Sequence, residues 1–176
     1  MREIVLYIAA TLDGFIADEN GGIDFLKPFE DTGEDYGYTE LMSSLQAVVM
    51  GSRTYEQVLG FDMPWMYPGL TTYVCTQRQL PTDADPGIRL WHGSVTELME
   101  ELPHGRTWLI GGGQLIDSFN AAGLVDRLQL AIIPVFLGRG IKLLSVPPAQ
   151  QKLILQSVKN FPSGLVMLDY RLQKTT

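Results

Sequence analysis

Apolar residues along this chain fall into two periods, one of strands and one of helices. Ile4–Ala10 is a near-continuous apolar run of strand length. That is the pattern of a strand covered on both faces, so it predicts a central one. AVVMG at 47–51, TTYVCT at 71–76, IRLW at 88–91 and RTWLI at 106–110 predict four more strands. Helical stretches lie between them. Glu34 and Asp35 open one that runs to about Gln46, with acids suited to the helix dipole. Ser52 is a candidate N-cap for a second, ending near Gly60. Ser94 and Glu97 have the spacing of a capping box, in which hydroxyl and carboxylate each satisfy an orphan N–H, and this helix should reach about Leu102. The last helix follows Gly111-Gly112-Gly113.

Beyond residue 125 the helical period disappears. DRLQLAIIP alternates and then turns fully apolar, while LILQSVKNF and LVMLDYRL flank Pro162-Ser163-Gly164 as a hairpin would. Alternating strands and helices followed by strands alone predict an α/β fold. Its central sheet is mixed but mostly parallel, flanked by helices, with a C-terminal antiparallel hairpin. At 176 residues, 45% hydrophobic and 19% charged, the chain suits a single domain over residues 1–176. Lys174-Thr175-Thr176 is expected to fray.

Charge and rare residues narrow the function. A formal charge of -7 and a pI near 4.7 argue against nucleic acid or an anionic membrane as partner, because such binding relies on clustered Lys and Arg. An anionic ligand would depend on a few placed arginines and on backbone N–H groups. One cysteine, Cys75, excludes an intramolecular disulfide, and two histidines, His92 and His104, give no basis for a metal centre. Both histidines read as solvated surface groups, and Cys75 as a small buried hydrophobe. MREIVLYIAATLDG lacks the shape of a signal peptide, and no apolar stretch is long enough for a membrane span, so a cytoplasmic protein is expected.

Three strand-end corners are the candidate chemistry. Gly111–Gly113 leave a strand and open a helix, where bare N–H groups and a helix N-terminus converge. A corner that needs positive φ and close packing explains the same glycines. A Rossmann fingerprint fails here, because Ile116 stands in the third glycine's place and the expected acid is missing. Gly51-Ser52-Arg53-Thr54 forms a second corner of the same build, and Thr76-Gln77-Arg78 a third. Ligands of open α/β sheets bind beyond the carboxyl ends of the strands, and three such corners favour a nucleotide more than one does.

TLDGFIA, GSRTYEQV, LIGGGQLIDSF and DRLQLAIIPVFLGRG, in that order over nearly the whole chain, resemble the dihydrofolate reductase-like fold family. The closest branch is that of the bacterial proteins related to the reductase domain of riboflavin biosynthesis, the RibD C-terminal domain. The resemblance implies an NADPH-dependent reductase, commonly homodimeric. It places the cofactor pyrophosphate on Gly51–Thr54 and the adenine ribose and 2′-phosphate near Thr76, Gln77 and Arg78, with Arg53 and Arg78 as the available cations. Ile110, Gly111, Gly112, Gly113, Gln114 and Leu115 would wrap the pyrophosphate and nicotinamide side. Ala9, Ala10 and Ile16 would line the nicotinamide pocket, and Asp13, in the loop that closes it, is a candidate substrate residue together with Phe25 and Trp65. Phe25 stands where folate reductases carry a loop tryptophan, and Trp65 could floor a substrate site or form a subunit contact.

Counting back from Gly51 as in folate reductases makes Asp35 the candidate proton-relaying acid; a surface acid at a helix N-terminus explains it equally. Phe15 replaces the basic residue that riboflavin reductases usually carry after the first Asp-Gly. The implied reaction is hydride transfer to a pyrimidine- or pteridine-type substrate, best named as 5-amino-6-(5-phosphoribosylamino)uracil reduction. An NADPH-binding module without turnover and a dihydrofolate reductase are the alternatives.

Overall fold

The computed structural model describes residues 1–146 and 150–173, and Lys174–Thr176 lie outside them. The chain opens on β1 (Arg2–Thr11), then passes through β2 (Phe15–Ala17), a single helical turn α1 (Lys27–Glu30), α2 (Tyr38–Ser44), β3 (Leu45–Gly51) and α3 (Ser52–Leu59). It continues with β4 (Thr71–Cys75), β5 (Ile88–Trp91), α4 (Val95–Glu101), β6 (Gly105–Gly111) and α5 (Gly113–Ala121). Strands alone follow: β7 (Arg127–Ile133), β8 (Ile141–Lys142), β9 (Leu153–Asn160) and β10 (Val166–Leu172).

The main sheet has eight strands in the order β5-β4-β3-β6-β1-β7-β10-β9. The six from β5 to β7 run parallel, and β10 and β9 add on antiparallel, as the sequence pattern predicts. β2 and β8 form a separate antiparallel pair.

Alternation along the strands separates two cores. Val5, Val48, Met50, Val74 and Trp108 face α2 and α3, meeting Leu41, Tyr55 and Val58. Ile4, Leu6, Ala47, Val49 and Leu109 face α4 and α5, meeting Leu98, Leu102, Ile116 and Phe119. β1 is therefore buried on both faces over Ile4–Leu6, the physical reason for its unbroken apolar run. In the first core, Trp108 meets Tyr7, Tyr38 and Tyr67 edge-on, and Trp65 meets Tyr55 and Tyr67 in the same way, with ring centroids 5.4 to 6.1 Å apart.

The expected helix over 34–46 is shorter than its pattern suggests. Gly33 and Gly37 sit at φ +77° and +88°, so the chain is still turning where the helix was expected to begin. Asp35 uses its carboxylate to hold Thr39 across that turn, accepting from the backbone N–H at 3.1 Å and from the hydroxyl at 2.9 Å. At the other end Leu45 is already extended and buried, because β3 takes it into the sheet.

Candidate functional site

Parallel pairing brings the three corners side by side. Gly51 lies opposite Cys75 in the β3–β4 register, and Met50 opposite Gly111 in the β3–β6 register. The carboxyl ends of β4, β3 and β6 thus form one row. Gly51 approaches Gly112 so closely that a Cβ on Gly51 would stand 3.7 Å from the Gly112 nitrogen and 3.8 Å from the Gly111 carbonyl oxygen. A Cβ on Gly112 would stand 3.4 Å from Thr54 Oγ1. What these two Cβ positions would meet is backbone and the Thr54 hydroxyl.

Both helices that leave these corners start on a glycine N-cap with no side-chain cap bond. The first N–H groups of a helix have no intrahelical acceptor. α4 starts instead with the full capping box expected of it, Ser94 Oγ accepting from Glu97 N–H and the Glu97 carboxylate accepting from Ser94 N–H. Side chains thus satisfy the start of α4, whereas α3 and α5 start without a side-chain acceptor for their first N–H groups among the described residues. Such a pair of N-termini fits a diphosphate.

The third corner carries Arg78, one of the two candidate cations. Thr76 Oγ1 accepts from Arg78 N–H at 3.0 Å, and Gln77 Nε2 donates to His92 O at 2.9 Å. His92 is exposed but not idle, since its Nδ1 lies 2.6 Å from Thr76 O. Arg78 donates to both oxygens of Glu56 on α3, at 3.0 and 2.7 Å. That pair holds the Glu56 carboxyl below its ordinary pKa range, with a smaller push from Arg53. Arg53 itself is exposed at the start of α3. Cys75 is enclosed at the end of β4, and burial pushes its thiol up to about 12, so it is no nucleophile.

The remaining candidates lie around the end of β1. Ala10 is buried and paired with Ile132, and Ala9 with Ala131. The β2–β8 pair folds over the start of α5: a Cβ on Gly113 would meet Ile141 Cγ2 at 3.2 Å and Ile16 Cδ1 at 4.0 Å. Ile110, Gln114 and Leu115 flank the same corner on β6 and α5. Asp13 points to the loop after β7, accepting from Leu137 and Gly138 N–H at 3.1 and 2.7 Å and from the Thr11 hydroxyl at 2.5 Å. The Thr11 bond, then the loop N–H groups, hold its carboxyl below the ordinary range. Asp13 is thus a latch between the first loop and residues 137–138.

Phe25 joins Ala9, Phe29, Tyr36 and Phe161 in a small cluster on Ala131 and Ile133. Trp65 packs against the first core, and its Nε1 is buried with no hydrogen-bond partner among the described residues. Asp35 is exposed; its charge helps raise the Tyr7 phenol to about 12, after the larger effect of burial.

Three features were not read from the sequence. The close approach of Gly140 to β2 is one: a Cβ there would meet Ala17 O at 2.2 Å. The β2–β8 pair itself was missed, because strands of three and two residues carry no period. The Arg78–Glu56 contact joins residues 22 apart in sequence and depends on β4 lying beside β3.

Comparisons with known proteins bear on the family and the fold. Residues 2–167 match the RibD C-terminal domain family. YwjB, an uncharacterized protein of Bacillus subtilis (strain 168), is 34% identical over 175 residues, 96% of this chain and 97% of its own. The crystal structure of a putative riboflavin biosynthesis protein from Shewanella sp. PV-4 superposes with a TM-score of 0.88 at 25% identity, covering 98% of this chain and 99% of that one. Dihydrofolate reductase from Enterococcus faecalis, complexed with NADP(H) and RAB-propyl, superposes with a TM-score of 0.69 at 16% identity, covering 98% and 97%. By sequence and by architecture, this chain belongs to the RibD C-terminal domain family and has the dihydrofolate reductase-like fold.

Proposed function

We propose that this protein is an NADPH-dependent reductase acting on a pyrimidine- or pteridine-type heterocycle. The observation that carries the reading is the row of corners: two uncapped helix N-termini, meeting across Gly51 and Gly112, beside a corner that bears Arg78. A diphosphate with a phosphorylated ribose at one end matches that donor set. Gly51–Thr54 and Gly111–Gln114 would hold the pyrophosphate, and Thr76–Arg78 with Arg53 the phosphorylated ribose. Ala9, Ala10 and Ile16 would border the nicotinamide. When bound, such a cofactor supplies the hydride.

The chain's own share is position and exclusion of water. The Asp13 latch and the β2–β8 pair hold the first loop over the start of α5. Family membership supports the aminouracil reduction of riboflavin synthesis as the specific reaction. Phe15, where related reductases carry a base, leaves a substrate phosphate without that partner.

Titration with NADPH and NADH, followed by nicotinamide fluorescence, tests the reading. Saturable NADPH binding is expected, with oxidation on adding an aminouracil ribotide. No binding of either nucleotide would sink it. The exposure of Asp35 and its engagement with Thr39 favour one second reading, a nucleotide-binding module without turnover. Saturable binding with no oxidation by aminouracil, dihydrofolate or imine substrates would select it.

If turnover occurs, Asp35→Asn is expected to lower kcat by less than about fivefold, because water can deliver a proton to so open a position. A larger fall with loss of the acid limb of the pH–rate profile would instead establish Asp35 as the proton relay.

A further inference from the structure

The end of β5 is tied to the third corner by three contacts. Thr76 N–H donates to Trp91 O at 2.9 Å, and Gln77 Nε2 donates to His92 O at 2.9 Å. The His92 ring completes the set, with Nδ1 2.6 Å from Thr76 O. Cys75 lies opposite Trp91 in the β4–β5 register, so the row of strand ends continues one strand past β4. His92 stands at its outer end.

The contact with Thr76 sets the chemistry of the ring. A carbonyl oxygen has no proton to give, so Nδ1 must carry one. In the neutral ring Nε2 is then a bare acceptor, and in the charged ring it is a donor. The ring is exposed, and Nε2 has no hydrogen-bond partner among the described residues. It is open to a ligand at this corner.

The charged groups on the elements around His92 are already committed. Arg78 after β4 is forked onto Glu56 of α3, which the Arg53 charge also reaches. Glu97 of α4 accepts from the Ser94 N–H and hydroxyl, each at 2.8 Å. Arg89 of β5 turns to the other end of its strand, donating to Pro86 O at 2.6 Å. The Arg78 bond holds Glu56 below its ordinary range, and the Ser94 N–H, then its hydroxyl, hold Glu97 below its own. Burial keeps the Cys75 thiol protonated. These groups keep their charge through neutral pH, where imidazole is the side chain that changes it.

A ribose at this corner offers His92 one of two groups. A 2′-hydroxyl has a proton to donate, which a bare Nε2 accepts. A 2′-phosphate brings acceptor oxygens and negative charge, which suit the Nε2–H of the charged ring.

We propose that His92 selects between the two nicotinamide nucleotides by its protonation, the charged ring donating to a 2′-phosphate and the neutral ring accepting from a 2′-hydroxyl. This rests on the reading above that the phosphorylated ribose lies at the Thr76–Arg78 corner. By linkage, NADPH binding then draws a proton onto the protein, and preference for NADPH strengthens as pH falls.

Proton NMR of the full chain tests it directly, because His92 and His104 are the two histidines to be followed. Saturating NADPH is expected to raise the titration midpoint of His92 by about one pH unit, which corresponds to a tenfold preference for the charged ring. NADH should not raise it, and His104 should not move with either nucleotide. Fluorescence titrations at about pH 6 and about pH 8 give a second readout. Toward acid, the NADPH-over-NADH preference is expected to rise roughly five- to tenfold more in the wild type than in His92→Asn. That variant keeps an amide N–H in the place of Nδ1, and it reports the titration of the 2′-phosphate itself, whose second pKa is also about 6. Should it fail to fold, the wild-type NMR titration decides, with His104→Gln assigning the resonances. An unmoved His92 midpoint under saturating NADPH, or preferences that run parallel in wild type and variant, would overturn the proposal and leave the reductase reading standing. Absence of saturable NADPH binding would instead sink that reading and this proposal with it.

Discussion

Gly51→Val is expected to weaken NADPH binding by about 100-fold, corresponding to the loss of one or two charge-assisted hydrogen bonds, while leaving the fold in place. Gly51 has φ -80° and ψ 163°, an extended conformation that a β-branched residue adopts without strain at a strand end. Its Cβ would sit in ordinary contact with Gly112 N and Gly111 O, at 3.7 and 3.8 Å. The first added carbon is tolerated, and the two methyl groups beyond it enter the space between the helix N-termini. A ligand oxygen that reaches the backbone N–H groups must pass through that space.

The paired readouts are a thermal unfolding midpoint within a few degrees of wild type and a fluorescence titration that no longer saturates at wild-type concentrations. Unchanged affinity in a folded Gly51→Val protein would show that the nucleotide does not approach between the corners.

How far this site was legible in the sequence follows from how local each feature is. The corners themselves were readable, since a strand that ends in glycine and a helix that starts there occupy consecutive residues. So were the α4 capping box and the C-terminal hairpin, for the same reason. That the three corners form one row was not readable from any of them, because strand order is set by non-local pairing and β6 is inserted between β3 and β1.

Helix α2 shows the opposite failure. Its apolar spacing is genuine, but Gly33, Gly37 and the Asp35–Thr39 contact keep the chain in turns that a periodicity reading passes over. Asp13 and Arg78 were singled out as side chains for a ligand. The structure gives each a protein partner on a segment remote in sequence, Leu137–Gly138 and Glu56. Sequence marks a charged residue near a site. It does not reveal which charge the fold has already answered.

Arg78 turns that limit into an experiment. Its guanidinium fork is engaged by both Glu56 oxygens, so a 2′-phosphate reaching Arg78 has to displace a carboxylate or share the cation with it. Glu56→Gln is expected to shift preference toward NADPH over NADH by roughly three- to tenfold, with NADH affinity unchanged, and Arg78→Ala to shift it by a similar factor the other way. Both residues are exposed, so the shifts should shrink as salt is added.

Two mechanisms predict the first result, and the double variant separates them. If Glu56 acts by occupying Arg78, then Glu56→Gln has no effect once Arg78 is alanine. If it acts by repelling the phosphate directly, the gain survives in the Arg78→Ala background, and Arg53, whose charge also reaches Glu56, becomes the cation that selects the cofactor. Equal changes in NADH and NADPH affinity would place the phosphorylated ribose somewhere other than this corner.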